Sequence, residues 1–349
     1  MKFDFIIGNP PYQETRDTTK DMPVYNAFMD SVFDISDKVL LITPGRFLFN
    51  AGATPKAWNQ KMLNDEHFKV CYYEPDSSKI FAGTDIKGGV AITYRSKHES
   101  FGAIGMFTSY SELNSIRSKV EKAGYKSISS IIYSPAAFKF SEKFHEDFPE
   151  VRYHEINGKP AGLLSKGNDY MIATNVFDKL SDYLTSEKPN SNETFAEIVG
   201  LLKSKRERRF IKKEYIDAPD NFEKYKIILP ESNGSGALGE ALSTPIVGQP
   251  LVGHTQSFIS IGAFETEKEA LACLKYIKTK FARVMLGILK ITQHNQRPAW
   301  RFVPIQDFTQ KSDIDWSKSI SEIDMLLYKK YELDEKEINF IESNVKEME

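Results

Sequence analysis

Short apolar runs alternate with stretches of helical spacing through the first hundred residues. This alternation constrains the fold more than any other feature of the chain. Residues 3–7, apolar apart from Asp4, end at Gly8 and are followed by two prolines, which predicts a buried strand. Val24, Phe28, Val32 and Ile35 recur at helical spacing, which predicts an amphipathic helix over 24–35. Residues 38–43 read as a second buried strand, stopped by Pro44. Thr54 and Pro55 read as the N-cap and first residue of a helix over 55–63. Further strands are expected over 68–73 and 88–94. Strands spaced by helices of about 10–15 residues predict βαβ units and a mostly parallel sheet covered on both faces.

The 349 residues leave room for two domains. Lys plus Arg number 46 against 48 Asp plus Glu, a formal net charge of −2. That balance excludes a globally basic nucleic-acid binder but leaves room for a local basic face. Cys71 and Cys273 are the two cysteines, too far apart for a disulfide framework or a cysteine-rich zinc site. Cys71 reads as a small core residue within the apolar run 70–73. The six histidines are scattered without metal-ligand spacing, so no metal is expected. No apolar run reaches the ~18 residues of a membrane span, and the N-terminus lacks a signal-peptide pattern. A cytoplasmic protein without a membrane partner is expected.

Beyond Tyr94 the pattern changes. A polar helix is expected over 109–123, ending at Gly124. Further helices are expected over 174–185, 194–202, 266–279 (continuing toward 289) and 320–331, with strands over 226–229 and 257–261. A charged helix over 334–349 carries Ile338 and Ile341 on one side. The expected organisation is an α/β region over 1–100, a connecting helix over 101–125, an α+β region over 126–330, and a C-terminal helix over 331–349.

The first chemical motif is Asn9-Pro10-Pro11-Tyr12, directly after the first strand. In an open α/β sheet, ligands bind at the carboxyl ends of strands. The prolines stiffen the turn and leave their carbonyls free as acceptors. These parts suit methylation of an exocyclic amine on a planar base. The lone pair of such an amine is delocalised into the ring, and two acceptors gripping its hydrogens favour a more tetrahedral nitrogen. The Asn9 side-chain oxygen and the Pro10 carbonyl are those acceptors, and Tyr12 offers a flat face for stacking. A duplex base reaches such a pocket only by being flipped out. The bland alternative is a proline-stiffened turn with a capping Asn.

Residues 3–13, Phe-Asp-Phe-Ile-Ile-Gly-Asn-Pro-Pro-Tyr-Gln, resemble the catalytic motif of gamma-type, TaqI-like N6-adenine DNA methyltransferases of bacterial restriction–modification systems. Two further segments follow in that family's order. Residues 39–48, Val-Leu-Leu-Ile-Thr-Pro-Gly-Arg-Phe-Leu, resemble its next core strand. Residues 79–92 resemble the motif whose phenylalanine packs on the other face of the flipped base, and Phe81 is the matching residue. On its own Phe81 would read as a core aromatic. The resemblance implies that Asn9, Pro10, Pro11 and Tyr12 are catalytic and that Tyr12 and Phe81 sandwich the base.

It also implies S-adenosylmethionine as methyl donor, bound mainly by a glycine loop that precedes the proline motif in this family's order. Each βαβ step takes ~30 residues, so the donor half needs on the order of 90, whereas eight residues precede Asn9. Residues 233–239 carry glycines but lack a clear strand-to-helix context, and residues 261–265 precede a helix but carry a single glycine. The expected fold is therefore the C-terminal half of a Rossmann-like methyltransferase sheet followed by an α+β target-recognition domain. A separate chain carrying the donor half, a nuclease or a helicase is an expected partner beside double-stranded DNA.

For DNA contact, residues 203–213 carry seven basic side chains: Lys203, Lys205, Arg206, Arg208, Arg209, Lys212 and Lys213, with Phe210 interleaved. A solvated charged helix face is the alternative. A second cluster, residues 292–301, offers Gln293, Asn295, Arg297 and Arg301 for base edges or phosphates, the alternative being a polar connection before a strand over 300–303. Residues 289–317 are similar to the C-terminal end of modification-specificity chains, which implies a recognition role for this region.

Three readings compete. The first is an adenine-specific methyltransferase that is incomplete alone. The second is a non-catalytic DNA-specificity subunit or truncated remnant. The third is a glutamine methyltransferase acting on release factors, whose family shares Asn-Pro-Pro-Tyr. Over 300 residues follow the motif here, which disfavours the third.

Overall fold

The computed structural model describes residues 3–14, 22–86, 88–234, 237–290 and 293–348. Met1, Lys87, the Ser235-Gly236 pair, Thr292 and Glu349 of the segments above lie outside them. The chain divides into two compact units, residues 1–114 and 115–349. The architecture is mixed α/β.

The first unit contains β1 (Phe3–Gly8), β2 (Gln13–Glu14), β3 (Met22–Pro23), α1 (Tyr25–Ile35), β4 (Ser36–Pro44), α2 (Lys56–Asn64), β5 (Phe68–Glu74) and β6 (Val90–Ser96). Its main sheet has the order β1-β4-β6-β5. β1, β4 and β5 point the same way, and β1 pairs with β4 in parallel in the register Gly8↔Leu41. β6 is antiparallel to both β4 and β5. The expectation of a mostly parallel sheet holds for strand direction, while β6, inserted between β4 and β5, makes two of the three neighbouring pairs antiparallel. Among its described residues the segment between β5 and β6 contains one short 3-10 turn, Ser77–Lys79, and no crossover helix, so β6 returns in the opposite direction.

The expectation of two covered faces is corrected. One face packs Val39, Leu41, Phe68 and Ala91 against Met29, Val32 and Phe33 of α1 and Met62 and Leu63 of α2. These side chains recur at helical spacing on α1, and fully burying each contributes about 1.5–3 kcal/mol. The opposite face leaves Phe3, Phe5 and Ile7 at 44%, 45% and 71% exposure. No described strand pairs with the outer edge of β1.

Smaller corrections have local causes. Pro55, with ψ 132°, is the N-cap of α2 without a side-chain cap bond, and the Thr54 hydroxyl donates instead to Asn59 Oδ1 at 2.7 Å. Cys71 is exposed, because it lies on edge strand β5 where a bulge between Val70 and Tyr72 shifts the register. Gly88 and Gly89 stand in a turn before β6.

The helix α3 (Ser111–Lys122) carries the chain across the unit boundary, with Gly124 beyond its end at φ 72°. The strands of the second unit are β7 (Ile132–Tyr133), β8 (Lys139–Phe140), β9 (His154–Ile156), β10 (Lys159–Ala161), β11 (Phe195–Leu202), β12 (Lys205–Lys212), β13 (Ile216–Asp217), β14 (Tyr225–Pro230), β15 (Ile246–Gly248), β16 (Val252–His254) and β17 (Phe258–Phe264). Its larger sheets are β15-β14-β17-β7 and β12-β11-β16. Its helices are α4 (Glu142–Asp147), α5 (Val176–Lys179), α6 (Glu267–Lys278), α7 (Lys280–Gly287), α8 (Ile320–Lys330) and α9 (Glu335–Asn344).

The expected helix over 194–202 is in fact β11. Its Ala196, Ile198 and Gly200 turn inward while it pairs with β12 and β16. Of the helix expected over 174–185, only the four residues of α5 form. The long helix toward 289 breaks at Thr279, whose ψ is 150° and whose hydroxyl caps α7 by accepting from Ala282 N–H at 3.1 Å. The strand expected over 300–303 is replaced by a 3-10 turn, Arg297–Trp300, and a following turn. Both C-terminal helices start with capping boxes, Ser319 with Glu322 and Asp334 with Glu337.

Candidate active site

The sheet register brings three loops to one edge. β1 ends at Gly8 beside β4, and β4 ends at Pro44, opposite Val90. Val90 also pairs with Glu74, the last residue of β5. The loops after β1, after β4 and between β5 and β6 therefore start or finish at the same end of the sheet. A pocket of about 860 Å³ opens there. Asn9, Pro10, Pro11 and Tyr12 line it from the first loop, Arg46 from the second and Phe81 and Asp85 from the third.

Within the pocket, Pro10 is buried, Asn9 and Pro11 are exposed, and Tyr12 and Phe81 are half-buried. Neither the Asn9 amide nor the Pro10 carbonyl has a hydrogen-bond partner among the described residues. The Tyr12 carbonyl accepts from Val24 N–H at 3.2 Å, which ties the turn to the start of α1. The Tyr12 hydroxyl is buried without a partner among the described residues, and burial pushes its pKa up. Tyr25, also on the pocket wall, is pushed up by burial, against the Thr54 hydroxyl and the Arg46 charge.

Ser77 fixes the Phe81 loop. Its carbonyl accepts from Phe81 N–H at 2.8 Å, its hydroxyl donates to the Thr84 carbonyl at 3.2 Å, and the same hydroxyl accepts from Ile86 N–H at 2.8 Å. At the loop's start the Asp76 N–H, 3.0 Å from the Glu74 carboxylate, holds Glu74 below the usual range. At its end Gly45 N–H donates to the Gly89 carbonyl at 2.9 Å, joining the second and third loops. The Phe81 ring stacks on none of the described aromatic rings, so a flat face remains for a ligand.

The basic run 203–213 is a hairpin, which replaces the alternative of a charged helix face. Lys203 and Ser204 form its turn with φ 50° and 63°, a primed turn matching strand twist. Most of its cations already have partners. Arg208 meets Glu197 at 2.5 Å, Arg209 meets Glu207 at 3.6 Å, Lys212 meets Glu193 at 2.5 Å, and Lys213 meets Glu223. Arg206 donates to the Thr244 carbonyl at 2.8 Å. Lys203 and Lys205 are exposed and make no ion pair among the described residues.

In the second cluster Gln293, Arg297 and Arg301 are exposed. Asn295 is not: it is fully buried, and its amide donates to the Pro230 carbonyl at 3.0 Å and to Asn233 Oδ1 at 2.7 Å. Its expected role at a base edge is corrected to a structural one.

Arg46 and Tyr25 were missed as pocket residues by sequence reasoning. The available signal was a charged residue two positions after the Pro44 that ends a buried strand. Among the described residues no group of three His, Cys, Asp or Glu side chains could hold a metal ion, and no described helix is long and apolar enough to cross a membrane.

Comparison with known proteins returns to the same N-terminal segment. Residues 1–81 match the family model of the Eco57I restriction-modification methylase. An uncharacterized adenine-specific methylase of Mycoplasma pneumoniae is 30% identical over 95 residues, which are 26% of this chain and 22% of that protein. The type IIG restriction endonuclease BpuSI aligns over 93% of this chain and 48% of its own, with 11% identity and a TM-score of 0.33, too loose a likeness to bear on the fold. The chain thus spans about a fifth of the curated relative it matches and about half of the solved structure. Motif order and sequence comparison agree: this chain resembles adenine-specific methyltransferases of restriction–modification systems, and its N-terminal segment carries the resemblance.

Proposed function

We propose that the first unit is the base-capturing half of an adenine-specific DNA methyltransferase acting at N6. One observation carries this reading. Asn9 to Tyr12 and Phe81, from loops about seventy residues apart in sequence, line a single pocket at the carboxyl end of the parallel pair. Double-stranded DNA supplies an adenine flipped out of the stack. The Asn9 oxygen and the Pro10 carbonyl accept the two N–H bonds of its amine and localise the lone pair on nitrogen. Tyr12 and Phe81 hold the ring between them. The acceptors are set before the base arrives, so their alignment costs little at the moment of reaction.

S-adenosylmethionine is the donor a methylase family implies, and it supplies the methyl group when bound. Among the described residues no strand runs through a Gly-x-Gly turn into a helix. The described residues do not form a principal donor site. The open edge of β1 and the bare face carrying Phe5 and Ile7 suit cover from a donor-binding half. That half sits elsewhere in the natural protein or on a partner chain, where a nuclease or helicase is a further candidate partner. The second unit, with its basic hairpin tip and Gln293, Arg297 and Arg301, is the proposed target-recognition region.

Expression of the natural genomic segment in a host without adenine methylation tests the proposal. Sequencing that detects N6-methyladenine is expected to find one modified motif, lost with Asn9→Ala while DNA affinity persists. Methylation that survives Asn9→Ala would reject the assigned roles. The same bare edge also suits a remnant that only binds DNA. Calorimetric titration of the chain with S-adenosylmethionine, alone and with the donor half, separates the two, since a remnant gains no donor binding.

A further inference from the structure

The pocket holds a charge that base capture does not use. Arg46 is exposed on the pocket wall, as the first residue of the 3-10 turn Arg46–Phe49. Among the described residues its guanidinium has no ion pair and no hydrogen-bond partner. The pocket's other charged side chain among them, Asp85, is already engaged.

The arginine is nevertheless guided. Gly52 and Gly88, from the second and third loops, flank its stem in the left-handed region at φ 93° and 85°. A Cβ on Gly52 would lie 3.1 Å from Arg46 Cδ, and one on Gly88 would lie 2.8 Å from Arg46 Cβ. Two loops therefore leave room where one side chain passes.

We propose that Arg46 forms a phosphate subsite beside the base pocket, taking a phosphodiester group that flanks the extruded adenine. The proposal rests on the base-capture reading above. A guanidinium is always charged and offers five donors and no acceptor. It cannot serve the adenine amine, which needs acceptors and has them in Asn9 and Pro10. The anions that an extruded nucleotide brings are its phosphates, and an arginine fork matches their oxygens. Gly8, just before Asn9, pairs with Leu41 of β4, and Arg46 stands on the loop that follows that strand, so both side chains line the same pocket.

The test is equilibrium binding of two probes to the full chain at low salt: 2′-deoxyadenosine and 2′-deoxyadenosine 3′,5′-bisphosphate. The bisphosphate is expected to bind about tenfold more tightly, as a charge-assisted contact predicts. Arg46→Gln is expected to erase that preference and leave nucleoside affinity unchanged, Arg46→Lys to keep part of it, and Asn9→Ala to weaken both probes alike. Equal affinities in the wild type, or a preference that survives Arg46→Gln, would overturn the phosphate subsite and leave the base pocket standing. If neither probe binds, base capture itself fails and the subsite falls with it. S-adenosylhomocysteine, whose only anion is a carboxylate, is the counter-probe. If its binding depends on Arg46 and that of the bisphosphate does not, Arg46 serves the donor and the proposal is wrong.

Discussion

The two four-stranded sheets of this chain finish themselves to different degrees. In β15-β14-β17-β7, Ile227, Ile228 and Leu229 of β14 and Ile259 and Ile261 of β17 are fully buried. That sheet even encloses polar groups with partners. Lys226 Nζ donates to the carbonyls of Phe222, Gln249 and Val252 at 3.1, 3.1 and 2.9 Å. Against it, His254 of β16 lies between the Thr255 carbonyl at 3.0 Å and the hydroxyl of Ser260 on β17 at 3.2 Å. In β1-β4-β6-β5 the strand that feeds the pocket shows three apolar side chains to solvent. The second unit spends its polar groups on its own core, while the first leaves acceptors, a cation and apolar surface free around one pocket. Unused bonding capacity gathers where a ligand or partner is expected, and saturation marks the scaffold.

The largest effect that tests this contrast is Phe47→Ala. Phe47 is fully buried against Trp58, Tyr25 and Phe68, with ring centroids 5.2, 6.1 and 6.3 Å away. The loss is expected to be about 4 kcal/mol, seen in urea as early unfolding of the first unit with the second unit's transition unmoved. Equal shifts in both transitions would break the comparison, because the units would then unfold as one.

Acid gives the next effect. Burial depresses His254 to about 4, and the Lys226 charge adds to this. The unfolded imidazole takes up its proton near pH 6.5, before the native one does. The stability contributed by the neutral buried ring is complete above pH 6.5 and is lost as pH falls toward 4, by about 3 kcal/mol. Asp324, pushed up to about 6 by burial, has the opposite sign: its contribution is complete below pH 3.8 and is lost as pH rises through 6. Thermal melts at pH 7 and 4.5 are expected to show His254→Gln narrowing the gap between the two pH values and Asp324→Asn widening it. No change of slope in His254→Gln would remove the histidine from the account.

DNA binding discriminates more finely. Each phosphate contact by a free cation contributes about 0.9 to the salt slope. Lys203→Ala with Lys205→Ala is expected to lower the slope by about 2 units. Arg206→Gln, Arg208→Gln and Arg209→Gln together also weaken binding, but change the slope by less, because those side chains are already bonded within the fold. An unchanged slope in both variants would sink the basic hairpin as a DNA face. The smallest effect is Ile7→Ser, expected within about 0.5 kcal/mol of wild type in urea because the side chain is 71% exposed. A loss above 1 kcal/mol would mean that this face is covered in solution.

Much of the first unit was legible, because each strand is a short apolar run bounded by Gly, Pro or charge. The reversal of β6 was not, since alternation of runs says nothing about the path of residues 75–89 back into it. Residues 195–202 satisfy helical and strand spacing alike, and only pairing with β12 and β16 decides between them. The basic run was visible as charge, but the fold supplies its neutralising partners Glu193 and Glu223 from outside it. The proline turn and Phe81 stood out as motifs. Arg46 did not, because its freedom and its guidance depend on two glycines placed by other loops.

Val90 is the register partner of Pro44 on one side and of Glu74 on the other. β6 is thus a common ruler for the arms that carry Arg46 and Phe81. Removing one residue from it would slide both arms by one step of about 3.3 Å, so neither can be repositioned without the other. Length changes confined to residues 50–53 or 82–85 leave the ruler untouched. Variation in the size of the base or flanking group accepted by such a pocket therefore has room in the two loop tips and almost none in the strand between them.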